Sequence, residues 1–252
     1  MKSKLTLVGA GPGDPELITL KAIKALQNAD VVLYDALVST ELLTYAPAHA
    51  HIVYVGKRRG RCEFAQQDLN QLIVDYALNY GHVVRLKGGD SFVFGRGYEE
   101  IAFAQDFGIE TTIVPGISSS VAVPALAGIP LTCRGVSESF WVLTGTTKNH
   151  TLSTDVIKAA HSTATLVILM GMQHLEQITQ ILAEAGKANT PVAIIQNGST
   201  SQQKTGLGTV DTIVDVVEKE GLANPAIIVV GEVVRLHPSY QNGRMETLTA
   251  FG

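Results

Sequence analysis

The sequence predicts an α/β protein made of two successive domains. Three observations lead there. Short β-branched segments alternate with stretches whose apolar residues recur at helical spacing, from Lys4 to Val230. Glycine-rich turns stand at the ends of several of the expected strands, the edge at which open α/β sheets hold ligands. The alternation breaks once, around Gly128-Ile129-Pro130-Leu131-Thr132-Cys133-Arg134-Gly135, and then starts again. The break sets the expected domains at 1–134 and 135–240, with a tail over 241–252.

Lys4 to Gly9 is the first strand, and Gly9-Ala10-Gly11-Pro12-Gly13-Asp14-Pro15 ends it before a helix begins near Thr19. These glycines invite a dinucleotide-binding reading. Against it, Asp14 stands where a third glycine belongs and two prolines stiffen the loop, so the turn suits a ligand without phosphate. Asp30 to Tyr34 is the second strand, with Asp35 at its end as either a cap or an acceptor facing a ligand. His51 to Val55 is the third and runs into Gly56-Lys57; Gln66 to Tyr80 follows as a helix, its apolar face formed by Leu69, Leu72, Ile73, Tyr76, Ala77 and Tyr80.

His82 to Leu86 is the strand that leads into Lys87-Gly88-Gly89-Asp90-Ser91-Phe92-Val93-Phe94-Gly95-Arg96-Gly97. Paired glycines let main-chain amides approach a bound molecule, and Asp90 adds an acceptor; the same residues also describe a tight turn capped by Asp90. Tyr98 to Phe107 is a helix, Glu110 to Val114 a strand, and Pro115-Gly116-Ile117-Ser118-Ser119-Ser120 a small-residue turn opening a helix to Leu126. Hydroxyls there cap a helix or bind a ligand.

Past the break, strands are expected at Ser139 to Thr144, Ala164 to Met170, Pro191 to Gln196 and Ala226 to Val230, with an edge strand at Gln203 to Leu207. Helices are expected at Thr154 to His161, Leu175 to Ala185 and Val210 to Lys219. Met170-Gly171-Met172 and Gln196-Asn197-Gly198-Ser199 stand at strand ends, although Met170 by itself reads as core.

Composition narrows the function. The chain has 252 residues, 46% hydrophobic and 17% charged, enough apolar surface for a dense core. No apolar run reaches the roughly 20 residues that span a bilayer, and Met1-Lys2-Ser3-Lys4-Leu5 leads into a strand, so a cytoplasmic protein with no membrane partner is expected. Cys62 and Cys133 match no metal-ligand spacing, and neither a metal nor a disulfide framework is expected. A net charge of −4 argues against general nucleic-acid binding. Yet six of the eight arginines lie in the first 134 residues, three of them in Lys57-Arg58-Arg59-Gly60-Arg61. Either the run is a solvated loop or it meets a small polyanion.

Val8-Gly9-Ala10-Gly11-Pro12-Gly13-Asp14-Pro15, Tyr34-Asp35-Ala36-Leu37-Val38, Gly56-Lys57-Arg58 and Arg85-Leu86-Lys87-Gly88-Gly89-Asp90 together closely resemble the tetrapyrrole methylases. Val114-Pro115-Gly116-Ile117-Ser118-Ser119, Gly128-Ile129-Pro130-Leu131-Thr132, Leu169-Met170-Gly171-Met172, Gln196-Asn197-Gly198-Ser199 and Pro225-Ala226-Ile227-Ile228-Val229-Val230-Gly231 continue the resemblance in the family's order. It implies two α/β/α domains, usually in a homodimer, with S-adenosylmethionine bound in the cleft between domains and not in a Rossmann pocket. The implied reaction is methylation of uroporphyrinogen III at C2 and C7 to precorrin-2, with S-adenosylhomocysteine as by-product.

By the same resemblance the cofactor contacts fall on Pro12, Gly88, Gly89, Asp90, Val93, Ser118, Ser119, Met170, Gly198 and Ala226. The proton acceptor matches Asp35 and the proton donor Lys57, while Arg58, Arg96 and Arg134 are expected to meet the carboxylates of the tetrapyrrole. Ser91 and Tyr98 depart from the family's usual proline and glycine, which predicts a looser turn and a narrower cleft.

Overall fold

Strands apolar on both faces must be covered on both faces, and the first half of the chain meets this requirement with a parallel sheet. The computed structural model describes residues 2–56 and 66–241. Strands β1 (Lys4–Gly9), β2 (Val31–Tyr34), β3 (His51–Tyr54), β4 (His82–Lys87) and β5 (Glu110–Val114) lie in the order β3-β2-β4-β1-β5, every pair parallel. Leu5, Leu7, Val31, Leu33 and Val83 point to one face, where Leu69, Ile73, Val74 and Ala77, from the helix over Gln66–Tyr80, and Ile101 and Ala104, from that over Gly97–Asp106, cover them. Val8, Val32, Val84 and Leu86 point to the other, against Ala22 and Leu26 of the helix over Leu20–Leu26. In chain order these helices are α1 (Leu20–Leu26), α2 (Gln66–Tyr80) and α3 (Gly97–Asp106).

The side-chain alternation of β4 has a consequence for charge. Val83, Arg85 and Lys87 share a face by the two-residue period, so a guanidinium and an ammonium are directed at the layer of α2 and α3.

Helix α4 (Ser119–Leu126) opens the second unit. There β6 (Phe140–Thr144), β7 (Thr165–Leu169), β8 (Pro191–Gln196), β9 (Lys204–Thr209) and β10 (Ala226–Val230) lie in the order β6-β7-β10-β8-β9. Only β6 and β7 are parallel; β10 runs antiparallel to both β7 and β8, and β9 antiparallel to β8. One face is covered by α5 (Asp155–Ala160), α6 (Leu175–Leu182) and α7 (Ile213–Glu220), through Val156, Ala159, Leu175, Ile178, Leu182 and Ile213. The other holds Val123 of α4 with Ala127, Ile129, Val233 and Val234 against Ala193, Ile195, Ile227 and Val229. A short helix, α8 (Pro238–Gln241), ends the described chain.

The contacts divide the chain into Met1–Ser119 and Ser120–Gly252. This division falls one helix ahead of the break at Gly128–Gly135, because α4 buries its apolar face on the second sheet. The edge strand expected at Gln203 to Leu207 is β9, at the rim of that sheet. Two helices are shorter than their apolar period suggests. The helix from Leu175 gives way to a wider turn at Ala183–Lys187, where Gly186 has φ 81°, and α7 starts at Ile213 after Thr212 N has closed the turn from β9 onto Thr209 O.

Candidate functional site

The carboxyl edge of the first sheet is made mostly of main chain. Ala10 N donates to Lys87 O at 2.7 Å, and Gly11 and Gly89 exchange hydrogen bonds at 3.2 and 2.7 Å, tying the loop after β1 to the loop after β4. A Cβ on Gly9 would come within 2.5 Å of Gly116 N and 2.7 Å of Gly89 O, so glycine is what lets the loops after β1, β4 and β5 converge. Beside Gly89 the situation is reversed. Its φ is +67°, and a Cβ there would meet only Ser119 N, at 3.8 Å. An added Cβ would thus be in ordinary contact with Ser119 N, so Gly89 and Ser119, two of the residues expected to hold the cofactor, lie side by side.

Asp90 is largely spoken for. One carboxylate oxygen accepts from Phe92 N at 2.8 Å and the other from Gly116 N at 3.0 Å, a clamp between the loops after β4 and β5. Asp14 caps the short turn Pro15–Leu17 by accepting from Glu16 N at 2.9 Å, which explains an aspartate in place of a third glycine. Pro12 and Ser118 are half-buried, and Val93 is exposed in the turn after Asp90. Ser91 is buried, its Oγ without a hydrogen-bond partner among the described residues, and Tyr98 stands largely exposed at the start of α3.

Asp35 follows β2 at the same edge, held by charges on β4. Arg85 donates from Nη2 to Asp35 Oδ1 at 2.7 Å, and from Nη1 to Leu86 O at 3.2 Å and Leu33 O at 3.4 Å. Lys87 Nζ donates to Glu100 Oε1 at 2.8 Å and lies 3.9 Å from Asp35 Oδ2; Arg85 Nε lies 3.4 Å from Glu100 Oε1. Gln66 Nε2 approaches the same oxygen at 3.4 Å and donates to Asn70 Oδ1 at 2.9 Å. Burial, with the Arg85 guanidinium beside it, pushes the Lys87 ammonium below the ordinary lysine range, against the pull of Glu100 and Asp35.

Reading the residues as a sequence did not single out Arg85, Lys87 or Glu100 as members of a site. The available signal was a pair of cations two apart in a strand whose neighbouring residues, Val83, Val84 and Leu86, are apolar.

Lys57 and Arg58, the expected donor and one of the expected substrate contacts, lie outside the described residues. Arg96 sits in a left-handed conformation, φ 58°, ahead of α3, and its half-exposed guanidinium pairs with Glu99 at 2.7 Å. Arg134 is exposed in the second unit, in the turn closed by Cys133 and Ser137 bonding each other's main chain. Among the described residues, no group of three His, Cys, Asp or Glu side chains is placed to hold a metal ion, and no helix is long and apolar enough to cross a membrane.

In the second unit the antiparallel course of β10 decides which residues are neighbours. Its first residues pair with the last of its partners, Ala226 with Gln196 and Ile227 with Leu169, so Ala226, Met170 and Gly198 share one edge of the sheet. Met170 follows β7 at φ 55° and is half-exposed, not core. Its carbonyl accepts from Thr146 Oγ1 at 2.6 Å, and Thr146 in turn accepts from Gln173 Nε2 at 2.9 Å. Gly198 is glycine for packing: a Cβ would come within 2.2 Å of Val123 Cγ1 on α4. Asn197 and Ser199, flanking it, both have positive φ.

The family model of the tetrapyrrole (corrin/porphyrin) methylases matches residues 4–214. The chain is 48% identical to the uroporphyrinogen-III C-methyltransferase of Methanocaldococcus jannaschii over 238 residues, covering 94% of this chain and 98% of that protein. Among solved structures it is similar to the uroporphyrin-III C-methyltransferase of Thermus thermophilus complexed with S-adenosylhomocysteine. That likeness has a TM-score of 0.79 and 36% identity, covering 92% of this chain and 94% of that one. It is also similar to a cobalamin-biosynthetic cobalt precorrin-4 methyltransferase, with a TM-score of 0.82 and 27% identity over 92% and 96% of the two chains.

Proposed function

The chain belongs to the tetrapyrrole methylase family, and from that membership we propose the reaction it catalyses: transfer of methyl groups from S-adenosylmethionine to uroporphyrinogen III, at C2 and C7, giving precorrin-2. The observation that carries the reading is 48% identity over nearly the whole chain to a uroporphyrinogen-III C-methyltransferase; among solved structures the identity is 36% to such an enzyme and 27% to the precorrin-4 enzyme of the same fold. The protein is an enzyme, and S-adenosylmethionine is its cosubstrate.

The residues present fit that molecule. The ledge of main chain at Gly89 and Ser119 N suits a ligand rich in hydrogen-bonding groups and free of phosphate. Pro12, Gly88, Gly89, Asp90, Val93, Ser118 and Ser119 on the first unit, and Met170, Gly198 and Ala226 on the second, are the contacts we assign to it. Asp90 acts there through the loops it clamps, and Met170 through a main chain whose carbonyl Thr146 orients. Bound S-adenosylmethionine supplies a methyl group on a sulfonium, already strongly electrophilic.

What remains for the protein is to place the pyrrole carbon in line and to manage protons. Asp35 accepts the proton released from the macrocycle, and Lys57 donates one to the tautomer being formed. Arg58, Arg96 and Arg134 meet the substrate's carboxylates, Arg96 by exchanging its partner Glu99 for one of them. The reading includes a homodimer in the cytoplasm, which light scattering and fractionation check.

The deciding experiment is anaerobic incubation with S-adenosylmethionine and uroporphyrinogen III, counting methyl groups on the macrocycle by mass spectrometry. Two added methyls are expected. Cofactor binding without methylation would overturn the substrate and point to a later corrinoid precursor.

A further inference from the structure

Behind Asp35 stands a group of charges that the reaction as described does not use. Side-chain exposure is 2% for Arg85, 7% for Lys87 and 0% for Glu100, against 28% for Asp35, so three buried ions stand behind one that reaches solvent. The signs balance, with Arg85 and Lys87 against Asp35 and Glu100. Burying ions is a poor way to hold a fold together, since apolar side chains of similar volume serve as well or better. The group also has a direction. Glu100 Oε1 accepts from Lys87 Nζ at 2.8 Å and forms an ion pair without a hydrogen bond with Arg85 Nε at 3.4 Å, while the outer end of the guanidinium, Nη2, donates to Asp35 Oδ1 at 2.7 Å. The carbonyls of Leu33 and Leu86 take Nη1, which fixes the plane of the fork.

We propose that Arg85 and Glu100 are positioning residues for the methyl-transfer reaction: Glu100 on α3 pairs with Arg85, and Arg85 holds the Asp35 carboxylate in the orientation in which it accepts the substrate's proton. The proposal rests on Asp35 being the proton acceptor. Lys87 belongs to the same balance, the second cation that Glu100 offsets. Among the described residues, the groups that bear on Asp35 are Arg85 and Lys87 from β4, with Glu100 of α3 behind them and the neutral amide of Gln66 from α2. From β3 comes the phenol of Tyr54: a Cβ on Gly56 would meet both Tyr54 Oη, at 2.7 Å, and Ala36 N, at 2.6 Å.

Opposite charges in the pair give opposite signatures. Arg85→Gln removes a cation next to the proton acceptor, so the acid limb of the kcat–pH profile moves to higher pH, and loss of the fork lowers kcat about tenfold or more. Glu100→Gln keeps size and shape but leaves two cations facing Asp35, so the acid limb moves to lower pH. Arg85→Lys keeps the charge without the fork, so the limb returns toward its original place while kcat stays low. S-adenosylhomocysteine affinity, measured calorimetrically, stays within about twofold in each variant and shows that the fold is kept.

Asp35→Asn separates the two levels. If it retains full turnover, the proton-acceptor reading fails and the positioning role falls with it. If it abolishes turnover while the Arg85 and Glu100 variants lose kcat without opposite displacement of the limb, the network is structural and this inference alone is overturned. Should Arg85→Gln fail to fold, Glu100→Gln and Arg85→Lys still test the proposal, the first by the sign of its shift and the second by the split between limb and kcat.

Discussion

At Gly89 one hydrogen atom does what no side chain can. The φ of +67° strains any L-residue, and an added Cβ would stand against Ser119 N at 3.8 Å. Gly108 shares the backbone strain and not the neighbour: its φ is +70°, and nothing lies within 4 Å of an added Cβ. The two glycines therefore make a matched pair. Alanine at either position should lower stability by about 1–2 kcal/mol from backbone strain. Only Gly89→Ala should also weaken S-adenosylmethionine, by about tenfold or more, or about 1.4 kcal/mol. Equilibrium urea unfolding and calorimetric titration of the two variants check this; equal affinities would remove Gly89 from the site.

At the scale of the element, β4 is the strand on which most depends. Its carboxyl end carries Arg85 and Lys87 and leads to the glycine turn, while its amino end is fastened by His82. Thr6 Oγ1 on β1 lies 2.8 Å from His82 Nε2, Asn28 O lies 2.7 Å from Nδ1, and the His82 main-chain N–H donates to Asp30 Oδ2 at 2.7 Å. Burial lowers the imidazole below its ordinary value of 6.5. The unfolded chain then binds the proton more readily than the folded one. The contribution of His82 is complete above pH about 6.5 and is lost as pH falls from there toward the lowered native value. His82→Asn should flatten the fall in melting temperature over that acid range, measured by calorimetry; an unchanged slope would assign the fall to other groups.

At the scale of the whole molecule there are two units, each with a core on both faces of its own sheet. The contacts we assign to S-adenosylmethionine fall on both. A ligand that binds only the folded chain contributes about 2.7 kcal/mol at one hundred times its Kd. S-adenosylhomocysteine at that excess should therefore raise the unfolding midpoints reported by probes in both units. Trp141 on β6 reports the second, and hydrogen exchange along β1 and β4 the first. A shift confined to one unit would assign the contacts to that unit alone.

Much of this was determined by the sequence by itself. Period-two and period-3.6 patterns locate the strands and most of the helices because burial selects side chains locally, and glycines mark the turns where a main chain must pass close to another. Spacing of ordered motifs was enough to place the chain among the tetrapyrrole methylases. Tertiary structure alone decided the rest. Nothing local says that α4 turns its apolar face to the second sheet, or that β10 runs antiparallel and so sets Ala226 on the edge that carries Met170 and Gly198. Nor does it show that the two cations of β4 find Glu100 on one side and Asp35 on the other. Ion pairs between separate elements depend on register and layer, which the whole fold sets and no window of sequence contains.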